Sequence, residues 1–225
     1  MGEALFQSIH MQLSVPRYAA IDPGRGANLD LIDRPITNAP WLRQRFAEIR
    51  VLETESDRIR AIEGILNWTN PGPGGFFDDL GDPMNRPHLV PGTGFAQDPD
   101  FFHTARTGFV GPRAPSRIAW LRHAEALYGN TLKLRYTGLD PAARYKVRYT
   151  RAGDSSFPMR LVANGSVEIH PLRKRDAEAV VRVVEFDIPA ATTAGGTLTL
   201  EWQPDPNASG NGRFVQVSEV WLVRQ

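Results

Sequence analysis

The run from Phe214 to Arg224 constrains this chain more than any other stretch. It is rich in β-branched and aromatic residues, and strand side chains alternate between two faces. Strict alternation places Val215, Val217, Glu219, Trp221 and Val223 on one face. Phe214, Gln216, Ser218, Val220, Leu222 and Arg224 then share the other. Glu219 therefore falls in the middle of the more apolar face. A buried carboxylate costs several kcal/mol unless it is paired, hydrogen-bonded or bound to a cation. Glu219 needs a partner, and its neighbours in sequence do not supply one.

Upstream the pattern stays β. Strands are expected at Ile118–Leu121, Leu132–Tyr136, Tyr145–Thr150, Met159–Ala163, Ser166–His170, Val180–Asp187 and Thr197–Trp202. Turn signals separate them, among them Asp140-Pro141, Gly195-Gly196 and Asn164-Gly165, the last a strong hairpin signal. Eight strands without βαβ alternation imply a mainly β fold, an antiparallel β-sandwich of jelly-roll type. Ahead of it lies a helical hairpin over residues 38–67. Asn38 and Pro40 open its first helix, with Leu42, Phe46 and Ile49 on one face. Thr54 and Asp57 form a capping box for the second, whose stripe is Ile59, Ile62, Ile65 and Leu66. The expected organisation is an irregular extension over 1–37, the hairpin over 38–67 and the sandwich over 68–225.

Composition removes several function classes. The 225 residues carry 26 basic and 25 acidic side chains, a net charge of +1. So even a balance gives no general attraction to nucleic acid or anionic membranes. Cysteine is absent, which excludes disulfides, thiolate metal sites and cysteine nucleophiles. No apolar run approaches the ~20 residues of a membrane span, and no signal-peptide pattern is visible at the start.

The oddest segment runs from Asn67 to Pro83. It is broken by proline and glycine and holds Trp68, Phe76, Phe77, Asp78, Asp79 and Asp82. Oxygen-rich irregular loops suit calcium, a hard cation with six to eight oxygen ligands. The spacing is not that of an EF-hand, and the same aspartates can serve as Asx-turn formers. Both readings stand. Residues 84–116 continue as a long loop, with His88 and His103 read as surface histidines.

Two stretches, Leu132–Arg148 and Phe186–Trp202, resemble galactose-binding-like sandwiches. The ending Val217-Ser-Glu-Val-Trp221 is similar to the last strand of family 32 carbohydrate-binding modules and discoidin-type domains. The resemblance covers residues 117–225. Gly138-Leu-Asp-Pro with Tyr145 also resembles fibronectin type III domains, a seven-stranded fold that would leave Glu219 unexplained. The carbohydrate-binding resemblance implies a structural calcium ligated by Glu219, with Asp78, Asp79 and Asp82 as loop ligands. Arg122 or Arg213 could instead neutralise Glu219 in a buried pair. It also implies a non-catalytic module, an accessory C-terminal region of a larger bacterial secreted polysaccharide-active protein, extracellular or periplasmic.

Binding a sugar takes aromatic platforms and planar polar side chains on loops above a rigid scaffold. Residues 203–213 join the last two strands and offer Asp205, Asn207, Asn211 and Arg213, with Trp202 and Trp68 as platforms. The runner-up is a glycoside hydrolase or polysaccharide lyase, because His123 and Glu125 share one face of an extended segment. A third class is a structural accessory domain packed on a neighbouring catalytic domain. An exposed apolar patch on the hairpin would favour it.

Overall fold

The computed structural model describes residues 39–81, 86–90, 92, 106–109, 122–127, 129–151, 157–174, 183–210 and 212–225. Two antiparallel sheets pack face to face behind two short helices, α1 (Ala39–Arg50) and α2 (Glu55–Leu66). The first sheet orders β2 (Arg106–Phe109), β3 (Arg122–Leu127), β10 (Arg213–Arg224), β5 (Tyr145–Arg151) and β8 (Val183–Ile188). A further strand, β1 (Phe76–Asp79), pairs with the C-terminal half of β10. The second sheet orders β4 (Leu132–Thr137), β9 (Thr197–Pro204), β6 (Met159–Ala163) and β7 (Val167–Arg173). The chain is thus a mainly β antiparallel sandwich preceded by a helical hairpin.

Alternation builds the core. Leu132, Leu134 and Tyr136 of β4 face inward with no exposed surface, and Lys133, Arg135 and Thr137 face outward. Leu198, Leu200 and Trp202 from β9 join Tyr145, Val147 and Tyr149 from β5 between the sheets. Each such side chain contributes about 1.5–3 kcal/mol of burial. Asn164 and Gly165 close the β6–β7 hairpin with φ of 50° and 78°, as a primed turn requires. Pro171 is tolerated because β7 is an edge strand.

Strand β10 does not alternate strictly. Its register against β5 shifts between Val217 and Val220, a bulge that moves every later side chain to the opposite face. Val215, Val217, Val220 and Leu222 therefore all enter the core. Glu219 and Trp221 turn to the outer face instead. The single apolar face expected for Val215, Val217, Glu219 and Trp221 is corrected accordingly. Nearly all of β10 is still buried, because its outer face is covered as well.

Trp221 is covered by the hairpin and the segment after it. Trp68 stands edge-on to Trp221 at 5.8 Å and to Trp41 of α1 at 6.1 Å, and Phe77 packs on Trp221 at 5.2 Å. Trp221 Nε1 donates to the Trp68 carbonyl at 2.8 Å. Aromatic edge contacts of this kind add roughly 0.5–1.5 kcal/mol each. Thr54 caps α2 as expected, accepting from the Asp57 backbone N–H at 3.1 Å. The stripe expected to pack inward does not: α2 has no buried residue, and Ile59, Ile62 and Leu66 are exposed.

Three strands were missed in the sequence: β1 and β2 fall in segments read as irregular loops, and β3 begins just after the strand expected at 118–121. β1 and β2, four residues each, are too short to show a period, and β1 pairs only with the distant β10. The expected strand at 118–121, Asn38, Trp120 and Tyr128 lie outside the described residues, as do residues 1–37 and His103.

Candidate functional site

The β9–β10 connection folds over the start of β6 and encloses a cleft of about 710 Å³. Its lining includes Thr131, Arg160, Gln203, Asp205, Ser209 and Phe214. Antiparallel pairing sets Arg160 beside Gln203, where Arg160 Nε donates to Gln203 Oε1 at 2.9 Å. This bond fixes the plane of a guanidinium whose fork suits bidentate acceptors. Asp205 shapes the loop, accepting from the Asn207 backbone N–H at 2.9 Å in an Asx turn. The Asp205 N–H donates to the Pro158 carbonyl, tying the loop to β6. Phe157 stands edge-on to Phe214 at 4.8 Å. Gly210, at φ 143°, lies so close that a Cβ would meet Phe157 Cζ at 2.8 Å.

The expected ligand-binding residues divide. Asp205 lines this cleft, and Asn207 is exposed on its loop. Asn211 lies outside the described residues. Trp202 has no exposed surface, since alternation along β9 turns it into the core, so its ring offers no platform. Arg213 points from the bulged start of β10 to Glu125 instead of into the loop. Trp68 is half-buried against Trp221 and Glu219. Arg160 was missed because only strand pairing brings it beside Gln203, 43 positions on.

A second polar cluster lies on the outer face of the first sheet. Glu125 Oε2 accepts from Arg213 Nε at 2.8 Å and from Gln216 Nε2 at 3.1 Å. His123 Nε2 stands 3.6 Å from the same oxygen, an ion-pair distance too long for a hydrogen bond. Burial alone would raise the Glu125 pKa. The nearby His123 ring and the charge and hydrogen bond of Arg213 outweigh it and bring the carboxyl down to about 2. His123 and Glu125 are both sealed from solvent, at 0% and 1% exposure. Neither presents surface to solvent in this arrangement.

The expected calcium ligands also part company. Glu219 is fully buried, and its two carboxylate oxygens accept from Trp68 Nε1 at 3.2 and 3.3 Å. Its backbone N–H donates to Thr150 Oγ1 at 2.8 Å. Asp79 lies opposite Glu219 in the β1–β10 ladder, on the same face, and accepts from the Gly81 N–H. Asp78 points the other way, into the sandwich edge. There it accepts from Tyr136 Oη at 2.9 Å and pairs with His88 Nδ1 at 2.8 Å. Burial first, then the Asp78 charge, push the Tyr136 pKa well up. His88, expected to be a surface residue, is thus half of an inter-sheet clasp. Asp82 and the Arg122 side chain lie outside the described residues. Among the described residues no three acidic or histidine side chains converge as metal ligands do.

No family model matches the chain, and no curated protein matches it in sequence. Among solved structures, the ANXUR1 extracellular domain from Arabidopsis thaliana aligns with 10% identity and a TM-score of 0.46, covering 69% of this chain. The chain spans 40% of that ectodomain's length. A family 35 carbohydrate-binding module from Clostridium thermocellum aligns at 10% identity and a TM-score of 0.32, over 66% of this chain and 90% of the module. A family 35 module from Cellvibrio japonicus aligns at 12% identity and 0.38, over 66% and 92%.

Proposed function

We propose that the chain is a non-catalytic carbohydrate-binding module of galactose-binding-like type, with its ligand in the β9–β10 cleft. The observation that carries this reading is the cleft itself. Its volume is in the range of small-ligand sites, and its lining includes the planar polar side chains of Arg160, Gln203 and Asp205. Arg160, Gln203 and Asp205 supply donors and acceptors for hydroxyls, and Phe214, only 6% exposed, is the aromatic part of the lining. The scaffold beneath is rigid sheet, so little ordering cost falls on binding. The family 32 and discoidin-type resemblance of Val217–Trp221 belongs to this proposal, as does placement outside the cell. Among the described residues no helix is long and apolar enough to cross a membrane.

Affinity electrophoresis through gels containing a panel of plant and microbial polysaccharides tests this. Retardation by one polymer, reduced at least tenfold in apparent affinity by Asp205→Ala or Arg160→Ala, is the expected result. Unchanged mobility across the panel, with small sugars also failing in calorimetry, removes the reading.

A calcium at Glu219 would draw on Glu219 and Asp79, which lie opposite each other in the ladder, while Asp78 faces away. Thermal melting with calcium and with EDTA decides it. A midpoint raised by several degrees with calcium assigns an ion, and coincident curves remove it. The hydrolase or lyase reading has lost its observation, since His123 and Glu125 are sealed. The accessory-domain reading has gained one, the exposed apolar face of α2.

A further inference from the structure

A twelve-residue helix is marginal in water by itself and takes its stability from burying an apolar face. Helix α2 buries no residue. Ala61 and Ile65 are half-covered, while Ile59, Ile62 and Leu66 are 49%, 39% and 76% exposed. Those three stand at i, i+3 and i+7, a continuous stripe along one side of the helix. Beside the stripe runs a shallow groove lined by Glu55, Ser56, Ile59, Arg60 and Glu63.

The stripe is its own complement. Ile59 and Leu66 lie about equally far from Ile62 along the helix axis. Two copies of α2 laid antiparallel about a two-fold axis at Ile62 therefore set each Ile59 against the other copy's Leu66. The two Ile62 side chains meet at the axis. Arg60 and Glu63 occupy one flank of the stripe, so each Arg60 comes within reach of the other copy's Glu63. Arg60 now holds only an exposed pair with Asp57, 3.2 Å away, which contributes little. Apolar spacing and flanking charge both satisfy an isologous contact.

We infer that α2 is a self-association face, and that two copies of this chain pair through antiparallel α2 helices. One helix on each side makes a small interface, so the dimer is weak, with a Kd on the order of 10–100 μM. The proposal is independent of the ligand in the β9–β10 cleft, which belongs to the opposite end of the chain's sequence.

Sedimentation equilibrium of the full chain from about 1 to 500 μM, a range bracketing that affinity, is the test. The expected result is a monomer–dimer equilibrium. Ile62→Asp, which sets two carboxylates against each other at the axis, should abolish it while the melting curve stays that of the parent. Glu63→Arg should weaken it severalfold, and Arg60→Glu combined with Glu63→Arg should restore it. A monomer throughout the range overturns the proposal and gives the stripe to another occupant, such as residues 1–38 or a neighbouring domain. A dimer unaffected by Ile62→Asp overturns it too, by placing the contact elsewhere.

Discussion

Glu125 and His170 are the two residues whose protonation the fold controls most visibly, and they act in different pH windows. The Glu125 carboxyl titrates at about 2 in the folded chain against 4.5 ordinarily. Its contribution is complete above about pH 5 and is lost as pH falls toward 2. The shift corresponds to about 3 kcal/mol. Urea unfolding at pH 7 and pH 3 should show a fall of about 2 kcal/mol, the rest being lost only below pH 2, and Glu125→Gln should remove much of the difference. His170 acts in the same direction at higher pH, as a base held neutral rather than an acid held charged. Its Nδ1 lies 2.7 Å from the Pro171 carbonyl, which can only accept, so Nδ1 carries the proton and Nε2 accepts from Tyr149 Oη at 2.7 Å. Burial first, and then the charges of Arg173 and Arg151, hold its pKa below the ordinary value of 6.5. The unfolded chain binds the proton more readily, so stability declines as pH drops below about 6.5. A urea midpoint that falls between pH 7.5 and 5.5, and does not in His170→Gln, confirms it. Trp68→Phe removes the donor to the buried Glu219 carboxylate. It should cost about 2 kcal/mol, seen as a melting point lower by about 4–8 °C. Glu219→Gln should likewise destabilise with little direct effect on ligand contacts. If it melts like the parent, neither a cation nor a charge-assisted bond is needed at this position.

At the scale of elements, β10 matters most because it is shared. It pairs with β5 along one edge and with β3 and then β1 along the other. The bulge between Val217 and Val220 lets one strand serve two surfaces, core on one side and the tryptophan stack on the other. The β9–β10 loop depends on close approach instead. Gly210→Ala forces a Cβ onto the Phe157 ring at a φ that L side chains rarely adopt. It should cost about 1–3 kcal/mol and weaken any ligand of the cleft as the loop shifts. Parallel measurement of melting and polysaccharide retardation separates the two effects. A variant that binds normally would detach the loop from the proposed site.

For the molecule as a whole, the sandwich was legible because burying one sheet face writes an alternating pattern into each strand. Met159–Ala163 matched residue for residue, Leu132–Thr137 and Tyr145–Arg151 ran one residue longer than expected, and the Asn164-Gly165 turn stood where expected. Thr54 as a cap was legible for the same reason, since its partner Asp57 is local. Asp205 lines the cleft on a loop whose turn chemistry can be read from composition. Arg160 cannot be found that way, because its place beside Gln203 exists only once β6 pairs with β9. Glu219 shows the division most sharply. Its need for a partner follows from the sequence, because a carboxylate among valines and tryptophan must be satisfied wherever it is buried. The face it occupies and the partner it meets were decided by tertiary structure. A one-residue bulge reverses the side of the strand, and Trp68 lies 151 positions away. Local periodicity carries no information about either.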